Sequence, residues 1–434
     1  MPGSRTRIAI RTLGCKVNRT ESEALAEALL GSDAVVVDEA DGADMVVVNT
    51  CTVTGEADAK ARKEVRRALA ACPGPVVVAG CLAALDPDGL RALDPRVVVE
   101  SDRAALASHV AAILGRSASA PGRARLAQRR AAQAGGAFRT RVMVKVQDGC
   151  DRRCSYCIVP DARGVPRSVP AADVIARVRA LAGMGTPEAV LTGINIGRYS
   201  DPDAGVHDLA DLVDSLAQTG MTRVRVSSVE PLDLNDRLAA SFARAGARVA
   251  PHLHVPLQSG CDRTLAEMGR GYDTATFTDA LERMRAAMPG LAVTTDVIVG
   301  FPGETDDDFA SSLAFVGACG FARLHVFRYS ERAGTPAAAR TDQIAPPVKA
   351  ARAEAMRSLS DRLVRRHLEA RDGQPASVLV ERATGGGAVG TSEDGLRVRL
   401  AQGGARPGQI IEVTLRLRSD GTLSGDRRTT PVRP

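Results

Sequence analysis

The sequence predicts an α/β protein of three parts: an N-terminal parallel α/β sheet domain, a central partial (β/α)6 barrel and a small C-terminal antiparallel β-barrel. Three observations predict this. Apolar β-branched runs alternate with helical stretches over residues 1–115, a second alternation begins near Thr140, and short strands between glycine-rich turns fill the last ~60 residues. We place the domains at 1–115, 139–371 and 372–434, with a linker at 116–138.

In the N-terminal part, the runs "RIAIRTLGC", "DMVVVNTC" and "GPVVVAGC" predict strands buried on both faces, as in a parallel sheet. A helix is predicted at "TESEALAEALL", where Thr20 and Glu23 have the spacing of a capping box. The linker is rich in Gly, Ser and Arg, and residues 116–141 contain seven arginines. It is either a stripe that contacts phosphates or a solvated, flexible connection.

Six strands are predicted in the central part, separated by helical stretches, which indicates a partial parallel barrel with functional groups at the C-terminal strand ends. Their sequences are "RVMVKVQ", "EAVLTGI", "RVRVSSVE", "VAPHLHVPL", "LAVTTDVIVG" and "ARLHVFRYS". A long helix over about 346–371 follows. The runs "ASVLVERA", "LRVRLA" and "IIEVTLRLR" then predict a barrel of the oligonucleotide-binding type.

The composition is that of an ordinary globular protein, with 44% hydrophobic and 25% charged residues and a net charge of +6. No apolar run could span a bilayer and no secretory signal is present, so we expect a cytoplasmic protein with no membrane partner. Nine cysteines are too few and odd in number for a disulfide scaffold. Clustered cysteines in a reducing compartment indicate metal binding or redox chemistry.

Cys15, Cys51 and Cys81 each lie just past the end of a predicted strand. Because the carboxyl ends of parallel strands share one edge of a sheet, we expect these three thiols to meet there. Three cysteines can hold three irons of a four-iron cluster and leave the fourth iron open. The alternatives are three unrelated cysteines, or zinc, for which the sequence offers no obvious fourth ligand.

Cys150, Cys154 and Cys157 form a C-x3-C-x2-C pattern directly after the first barrel strand. A zinc site would show a second CxxC pair or nearby histidines, and a ferredoxin-type cluster would need a fourth cysteine. Three cysteines on one loop therefore predict a four-iron cluster with one unligated iron. That iron can chelate a small molecule that carries an amine and a carboxylate.

The loop "CDRRCSYC" resembles the signature of radical S-adenosylmethionine enzymes. The resemblance implies that Cys150, Cys154 and Cys157 hold a catalytic [4Fe-4S] cluster. It also implies that the open iron binds S-adenosylmethionine, whose reductive cleavage yields a radical. Tyr156 matches an aromatic residue that the family has near adenine, although it could simply pack the loop.

Motifs along nearly the whole chain resemble those of methylthiotransferases, and the tail resembles a TRAM domain, a small RNA-binding barrel. They include "TLGCKVNRTESEALAEAL", "NTCTVTGEADAK", "LTGINIGRY", "HLHVPLQSGCDRTLAEMGRGY" and "TTDVIVGFPGET". The pairing of "LGCKVN" with "NTCTVT" resembles the tRNA enzymes that act on N6-threonylcarbamoyladenosine at position 37. The isopentenyladenosine enzymes usually have Gln-Met after the first cysteine, and the ribosomal-protein enzymes Pro-Lys.

The resemblance implies two [4Fe-4S] clusters, the one at Cys15, Cys51 and Cys81 carrying sulfur. Further residues at the strand ends are implied to contact S-adenosylmethionine: Gly193 and Asn195 near its methionine amine, and Ser228 and Glu230 near its ribose. Gln258 is similarly placed on the fourth strand, and Gly300 and Gly303 would approach adenine. Each of these could instead serve an ordinary turn or cap.

The implied partners are tRNA, an electron donor such as flavodoxin or ferredoxin, and a sulfur donor. No aromatic residue follows Tyr329, so the last barrel would hold tRNA through arginines rather than ring stacking. The candidates are Arg397, Arg399, Arg416 and Arg418. Three alternatives stay open: isopentenyladenosine 37 of tRNA, a ribosomal protein, or a non-catalytic iron–sulfur carrier that docks on RNA.

Two smaller features stay open as well. His252 and His254 share one strand face, either as a metal pair or as hydrogen-bonded barrel histidines. The remaining cysteines, Cys72, Cys261 and Cys319, are expected to be plain thiols.

Overall fold

The structure, a computed structural model, describes residues 6–29, 34–115, 140–401 and 404–428. The predicted linker 116–138 lies outside the described residues. The chain forms two compact units, and the segments Asp148–Pro166 and Ser330–Ala339 belong to the same unit as the N-terminal residues. The C-terminal barrel belongs to the second unit. This grouping differs from the predicted domain boundaries, which stay a prediction.

The first unit contains the predicted parallel sheet, with strand order β2-β1-β3-β4-β5. Its central strands β3 and β4 are buried along their whole length, because helices cover both faces. The strands are β1 Thr6–Thr12, β2 Ala34–Val37, β3 Met45–Thr50, β4 Val76–Gly80 and β5 Val97–Val99. The helices of this unit are α1 Lys16–Leu29, α2 Gly55–Ala71, α3 Cys81–Leu85, α4 Pro87–Arg91, α5 Leu106–Ile113 and α6 Val159–Arg163.

The predicted capping box at Thr20 is wrong. Helix α1 begins at Lys16, so Thr20 lies inside it, where its hydroxyl donates to the Val17 carbonyl at 2.7 Å. A start directly after Cys15 brings the first turn of the helix next to the sheet edge. By contrast, Thr54 caps α2 by accepting a hydrogen bond from the Ala57 amide at 3.1 Å.

The second unit contains all six predicted barrel strands. They form two three-stranded parallel sheets, β6-β9-β10 and β11-β12-β13. Parallel bridges from Val224 to Val249 and from Ser228 to His254 join the two sheets. The strands are β6 Arg141–Lys145, β9 Glu188–Thr192, β10 Arg223–Val226, β11 His252–His254, β12 Ala292–Val299 and β13 Arg323–Arg328. Two short strands follow β6 in the chain: β7 Gln147–Asp148, whose second residue belongs to the first unit, and β8 Arg167–Ser168.

Helices cover the outer face of this partial barrel and enclose its hydrophobic core. They are α7 Ala171–Gly183, α8 Leu209–Ala217, α9 Asp236–Ala245, α10 Asp262–Glu267, α11 Thr274–Ala287, α12 Asp306–Ala318 and α13 Pro346–Arg371. Short 3-10 turns are formed by Ile196–Arg198, Pro202–Ala204, Pro231–Asp233 and Gly246–Arg248, and in the first unit by Pro336–Ala339. No described helix has the length and apolar character needed to cross a membrane.

The C-terminal strands close into a five-stranded barrel in the order β14-β15-β16-β18-β17. Four of the five strand pairs of this predicted antiparallel barrel are antiparallel, and one pair, β16 with β18, is parallel. A chain that returns across a closed barrel can pair its last strand in either direction, which local sequence does not reveal. The strands are β14 Pro375–Thr384, β15 Gly387–Ser392, β16 Arg397–Leu400, β17 Ile410–Leu417 and β18 Leu423–Arg427.

Candidate functional site

Cys15, Cys51 and Cys81 lie at the carboxyl ends of three neighbouring strands. Cys51 directly follows β3 and Cys81 directly follows β4, and these strands pair up to their last residues, Thr50 with Gly80. Cys15 follows the adjacent strand β1. Burial raises the pKa of the Cys51 thiol, and the neighbouring Cys81 and Cys15 raise it further. The three sulfur atoms are thus close enough to interact electrostatically.

Two glycines make room at this edge. Gly14 has a φ of +89°, and a Cβ there would lie 2.4 Å from the Cβ of Cys51 and 2.6 Å from its Sγ. Gly80 has a φ of +93°, and its Cβ would lie 2.4 Å from the Asn49 side-chain oxygen. Any larger residue would collide, so only glycine lets the strand ends approach this closely.

Asn18, on the first turn of α1, is completely buried and holds the strand ends together. Its Nδ2 donates to the carbonyls of Leu13 and Thr50, each at 2.8 Å. Its Oδ1 lies 3.7 Å from the Sγ of Cys15. The side chain therefore ties together the residues that precede Cys15 and Cys51.

The second trio, Cys150, Cys154 and Cys157, lies on a loop in the same unit. The Cys150 amide donates to the Gly164 carbonyl at 3.0 Å, and the Cys157 amide donates to the Cys154 carbonyl at 3.1 Å. Gly149, with a φ of +76°, permits the close approach, since a Cβ there would lie 2.0 Å from the Val165 carbonyl oxygen. Cys154 is buried, whereas Cys150 and Cys157 are half-buried. Backbone geometry thus fixes a compact loop that bears three thiols.

Arg163 connects the base of this loop to the first trio. Its guanidinium is buried and donates to Asn18 Oδ1 at 2.5 Å, to Glu21 Oε1 at 3.0 Å and to Asp148 Oδ1 at 2.8 Å. Burial alone would lower the pKa of Arg163, but the neighbouring Cys81, Glu21 and Asp148 raise it well above its usual value. Arg163 is therefore a permanent cation beside the first cysteine trio.

Arg103 makes a second connection. Its Nη2 donates to the Ala162 carbonyl at 2.9 Å and lies 3.6 Å from the Sγ of Cys81. Arg103 therefore places a second positive charge beside the first cysteine trio. Two arginines thus offset the negative charge that three thiolates would place at this sheet edge.

The donor set fits an iron–sulfur cluster at each trio. All nine cysteines lie within the described residues, and none forms a disulfide. Cysteine ligates iron as the thiolate, and burial raises the pKa of Cys51, so binding of a metal there would release its proton. Two groups of three thiols, one flanked by arginines, supply the ligands that such clusters need.

Known proteins share both halves of this arrangement. Residues 144–316 match the Radical SAM superfamily, and residues 7–100 match the Uncharacterized protein family UPF0004. The threonylcarbamoyladenosine tRNA methylthiotransferase MtaB of Bacillus subtilis is 36% identical over 385 residues, which cover 87% of this chain and 85% of the relative. The tRNA-2-methylthio-N(6)-dimethylallyladenosine synthase of Cereibacter sphaeroides is 34% identical and covers 97% of this chain and 98% of the relative.

This chain belongs to the radical SAM tRNA methylthiotransferase family. Among solved structures, the radical S-adenosylmethionine methyltransferase TsrM from Kitasatospora setae superposes with a TM-score of 0.54 at 15% identity and covers 77% of each chain, which shows a shared fold. The family resemblance and the fold class predicted from the sequence are confirmed. The predicted cofactors, S-adenosylmethionine and two [4Fe-4S] clusters, are those of this methylthiotransferase family.

In this methylthiotransferase, Asn195 follows the second barrel strand and is only 3% exposed. Its backbone amide donates to Gln147 Oε1 at 2.8 Å, yet its side-chain Nδ2 and Oδ1 have no hydrogen-bond partner among the described residues. A buried amide without partners is costly, by about 1–3 kcal/mol, unless a ligand satisfies it. Gly193 is tightly packed, since a Cβ there would lie 2.6 Å from Ile196.

Ser228 and Glu230 follow the third strand and are both half-buried. Ser228 forms the parallel bridge to His254 that joins the two sheets. The Glu230 carboxylate accepts a hydrogen bond from Arg270, whose Nε lies 3.0 Å from the Tyr272 hydroxyl. Glu230 is thus an oriented carboxylate rather than a mobile surface group.

Gln258 is the one non-glycine residue with a positive φ, +74°, in the described part of the chain. The backbone amide of Gln258 donates to the backbone carbonyl of Asp296 at 2.9 Å, and its backbone carbonyl accepts from the backbone amide of Ile298 at 2.8 Å. Such strain is concentrated at functional sites, so the backbone geometry favours a functional role for Gln258.

The other sequence candidates take simpler places. Gly300 and Gly303 pack against this chain's own side chains, since Cβ atoms there would lie 2.4 Å from Lys349 Cγ and from Arg340 Nη2. Tyr156 is half-buried on the cysteine loop. These positions are consistent with turns, and their contact with the cofactor stays a prediction.

The three other cysteines have local partners or bury their sulfur. Cys72 Sγ donates to the Ala43 carbonyl at 3.1 Å, and Cys261 Sγ lies 3.3 Å from Asp308 Oδ1. Burial raises the pKa of Cys319 to about 12, which makes it an inert thiol.

Sequence reasoning missed the residues that support these sites: Asn18, Arg103, Arg163 and Arg270. Asn18 lies in the family motif "TLGCKVNRTESEALAEAL" and Arg270 in "HLHVPLQSGCDRTLAEMGRGY", and both motifs were usable signals. Arg103 offers no sequence signal, because its partner Ala162 is 59 residues away and accepts the hydrogen bond through its backbone carbonyl.

Proposed function

We propose that this methylthiotransferase converts N6-threonylcarbamoyladenosine at position 37 of tRNA to its 2-methylthio derivative. The observation that carries the proposal is the convergence of Cys15, Cys51 and Cys81 on one sheet edge, in the same compact unit as the second trio. The substrate choice is supported by the name of the Bacillus subtilis relative and by the "LGCKVN" and "NTCTVT" neighbourhoods.

In this proposal each trio holds one [4Fe-4S] cluster: Cys15, Cys51 and Cys81 the first, and Cys150, Cys154 and Cys157 the second. When bound, the clusters and S-adenosylmethionine supply the radical and sulfur chemistry that replacement of an aromatic hydrogen demands. The protein's own task is to bind, orient and shield, because no side chain here is basic enough to remove that hydrogen.

The proposed contacts to S-adenosylmethionine lie at the strand ends. Asn195 offers an unsatisfied buried amide to the amine and carboxylate of the methionine part, beside Gly193. Glu230, oriented by Arg270, is suited to accept hydrogen bonds from ribose hydroxyls, with Ser228 nearby in sequence. Gln258 and Tyr156 complete the proposed cofactor contacts.

The further partners are also part of the proposal. The C-terminal barrel would bind tRNA through Arg397, Arg399, Arg416 and Arg418, all of which are exposed. An electron donor such as flavodoxin or ferredoxin and a separate sulfur donor would serve the clusters. We expect the enzyme to work in the cytoplasm, together with its tRNA substrate.

Mass spectrometry of tRNA nucleosides from a strain that lacks this gene tests the substrate. We expect loss of the 2-methylthio form of N6-threonylcarbamoyladenosine and an accumulation of N6-threonylcarbamoyladenosine itself. The wild-type gene should restore the 2-methylthio form. An unchanged profile for this nucleoside would refute the proposed substrate.

A second candidate substrate is N6-dimethylallyladenosine (isopentenyladenosine) at the same position. It is favoured by the Cereibacter sphaeroides relative, which matches over 98% of its own length. The same nucleoside profile decides between the two, because selective loss of the 2-methylthio form of dimethylallyladenosine would identify this substrate.

Substitutions in the two trios separate their roles. Cys154→Ala should abolish cleavage of S-adenosylmethionine, because the second cluster loses a ligand. Cys51→Ala should retain some cleavage of S-adenosylmethionine but form no methylthiolated tRNA. Cys261→Ser, outside both trios, is the matched control and should stay active. Full methylthiolation by Cys51→Ala would disprove the role of the first trio. A wild-type protein that never cleaves S-adenosylmethionine would be an iron–sulfur carrier rather than an enzyme.

A further inference from the structure

Two histidines and an aspartate meet on the last three barrel strands. His254 ends β11, Asp296 lies in the middle of β12, and His325 lies on β13 directly opposite Asp296 in the parallel register. One potential ligand atom from each residue lies within 4.8 Å of those from the other two. His252, the other histidine of the sequence pair, does not belong to this group.

The group lies on the sheet face that points away from the helices. Along β12, Val293, Val297 and Val299 belong to the hydrophobic core between strands and helices. Asp296, which alternates with them, therefore projects to the opposite face, the inner face of a partial barrel. Its side chain is 27% exposed and that of His325 is 50% exposed, so solvent or a ligand can reach the group.

The distances suit a metal ion. His254 Nε2 lies 3.2 Å from Asp296 Oδ2, and His325 Nδ1 lies 3.3 Å from Asp296 Oδ1. Bonds of about 2.0–2.1 Å at tetrahedral angles place neighbouring ligand atoms about 3.3 Å apart. The two imidazole rings are stacked, with centroids 5.4 Å apart. Both histidines thus present a ring nitrogen to the same carboxylate.

The Thr294 hydroxyl lies against the second ring nitrogen of His254. His254 Nδ1 lies 3.0 Å from Thr294 Oγ1, and that hydroxyl in turn lies 3.5 Å from the Leu253 carbonyl, to which it donates. A hydrogen bond from Nδ1 to this hydroxyl would leave the Nε2 lone pair, which faces Asp296, free to bind a metal ion.

We propose that His254, Asp296 and His325 bind one first-row divalent metal ion, such as Zn²⁺, Fe²⁺ or Mn²⁺. Two imidazoles and one carboxylate are the ligand set of sites that keep further positions open for water or another oxygen ligand. Thr294 orients His254 as a supporting residue behind the metal ligand. The site contains no cysteine and is independent of the function proposed for the two trios.

Mn²⁺ binding to the full-length, anaerobically reconstituted enzyme tests the proposal. Thiolates compete poorly for Mn²⁺, so the two cysteine trios do not interfere. Electron paramagnetic resonance of free Mn²⁺ should show saturable binding of about one ion per chain, with displacement by Zn²⁺. His325→Gln, a half-exposed position, should weaken binding at least about tenfold, and Thr294→Val about 10-fold.

The matched control is His207→Gln, an exposed histidine outside the group, which should bind Mn²⁺ like the wild type. Iron content and circular dichroism, compared across all variants, establish that clusters and fold are intact. Equal Mn²⁺ binding by wild type and His325→Gln, or no binding by either, would overturn the proposal.

Discussion

At the scale of single residues, the first cysteine trio depends on positions that carry no reactive group. Gly14 has a positive φ and lies against Cys51, and Asn18 donates to the carbonyl of the residue before Cys51. The position of the three thiols at this sheet edge therefore depends on the room left by Gly14 and on the hydrogen bonds of Asn18. Arg103 and Arg163 add the positive charge that a buried, anionic centre needs.

We expect Gly14→Ala to displace Cys51, because the new Cβ would lie 2.4 Å from the Cβ of Cys51. Iron bound after anaerobic reconstitution should fall from about eight to about four atoms per chain, the content of one remaining [4Fe-4S] cluster. An iron assay with protein quantification measures this change.

The control for this substitution is Gly205→Ala. Gly205 has a φ of +72°, so alanine carries a similar backbone strain of about 1 kcal/mol, but no described atom lies within 4 Å of its Cβ. Gly205→Ala should retain about eight irons. Equal iron contents in both variants would contradict the steric role of Gly14.

At the scale of elements, the starts of the barrel strands β9 and β10 are joined by a buried ion cluster. Glu188 is fully buried and accepts hydrogen bonds from Arg223 Nε at 2.6 Å and Arg225 Nε at 2.8 Å. The same arginines donate to the carbonyls of Ser377 and Ser392 in the C-terminal barrel, at 3.2 and 3.3 Å. One carboxylate thus orients two cations that join the two barrels of the second unit.

Glu188→Ala should destabilise the protein by about 3–5 kcal/mol, because it leaves two buried guanidinium groups without their anion. Chemical denaturation followed by circular dichroism measures the loss. Glu354→Ala removes an exposed partner of Arg357 on α13 and should change stability by less than about 1 kcal/mol. Similar effects of both substitutions would argue against a central role for the buried cluster.

The same cluster predicts a pH dependence. Burial alone would raise the pKa of Glu188, but Arg225 and Arg223 hold it below its usual value. A lowered folded-state pKa contributes stability that is complete above the unfolded-state pKa of about 4.5 and is lost as the pH falls through the folded-state value. The stability difference between wild type and Glu188→Gln should therefore shrink on acidification below about pH 4.5. A stability difference that grows below about pH 4.5 would contradict the lowered pKa of Glu188.

At the scale of the whole molecule, the C-terminal barrel presents exposed arginines and no aromatic side chain. Arg399 pairs with Asp420 at 3.6 Å and Arg416 pairs with Asp426 at 3.4 Å, both at the surface. Exposed pairs contribute little stability, so phosphates can replace the aspartates at small cost. Binding of RNA by this barrel would then be governed by charge and shape.

We expect tRNA affinity to fall steeply with salt, with a slope of about 0.7–0.9 in log K per phosphate contact. The double substitution Arg397→Gln and Arg399→Gln should reduce this slope by the equivalent of one to two phosphate contacts. Filter binding at several salt concentrations measures the slope. Arg244→Gln, an exposed arginine on α9 that pairs with Asp214, is the control. An affinity that does not respond to salt would refute this binding mode.

The sequence by itself determined the fold class, the strand positions and the two cysteine trios, because β-branched runs and cysteine spacing are local signals. Only the tertiary structure decided what lies beside them. Asn18 meets Arg163 across 145 residues, Asp296 lies between His254 and His325, and β16 runs parallel to β18. These partnerships depend on sheet order and register, which are set by the packing of segments that are distant in sequence. The spacing of neighbouring residues therefore does not predict them.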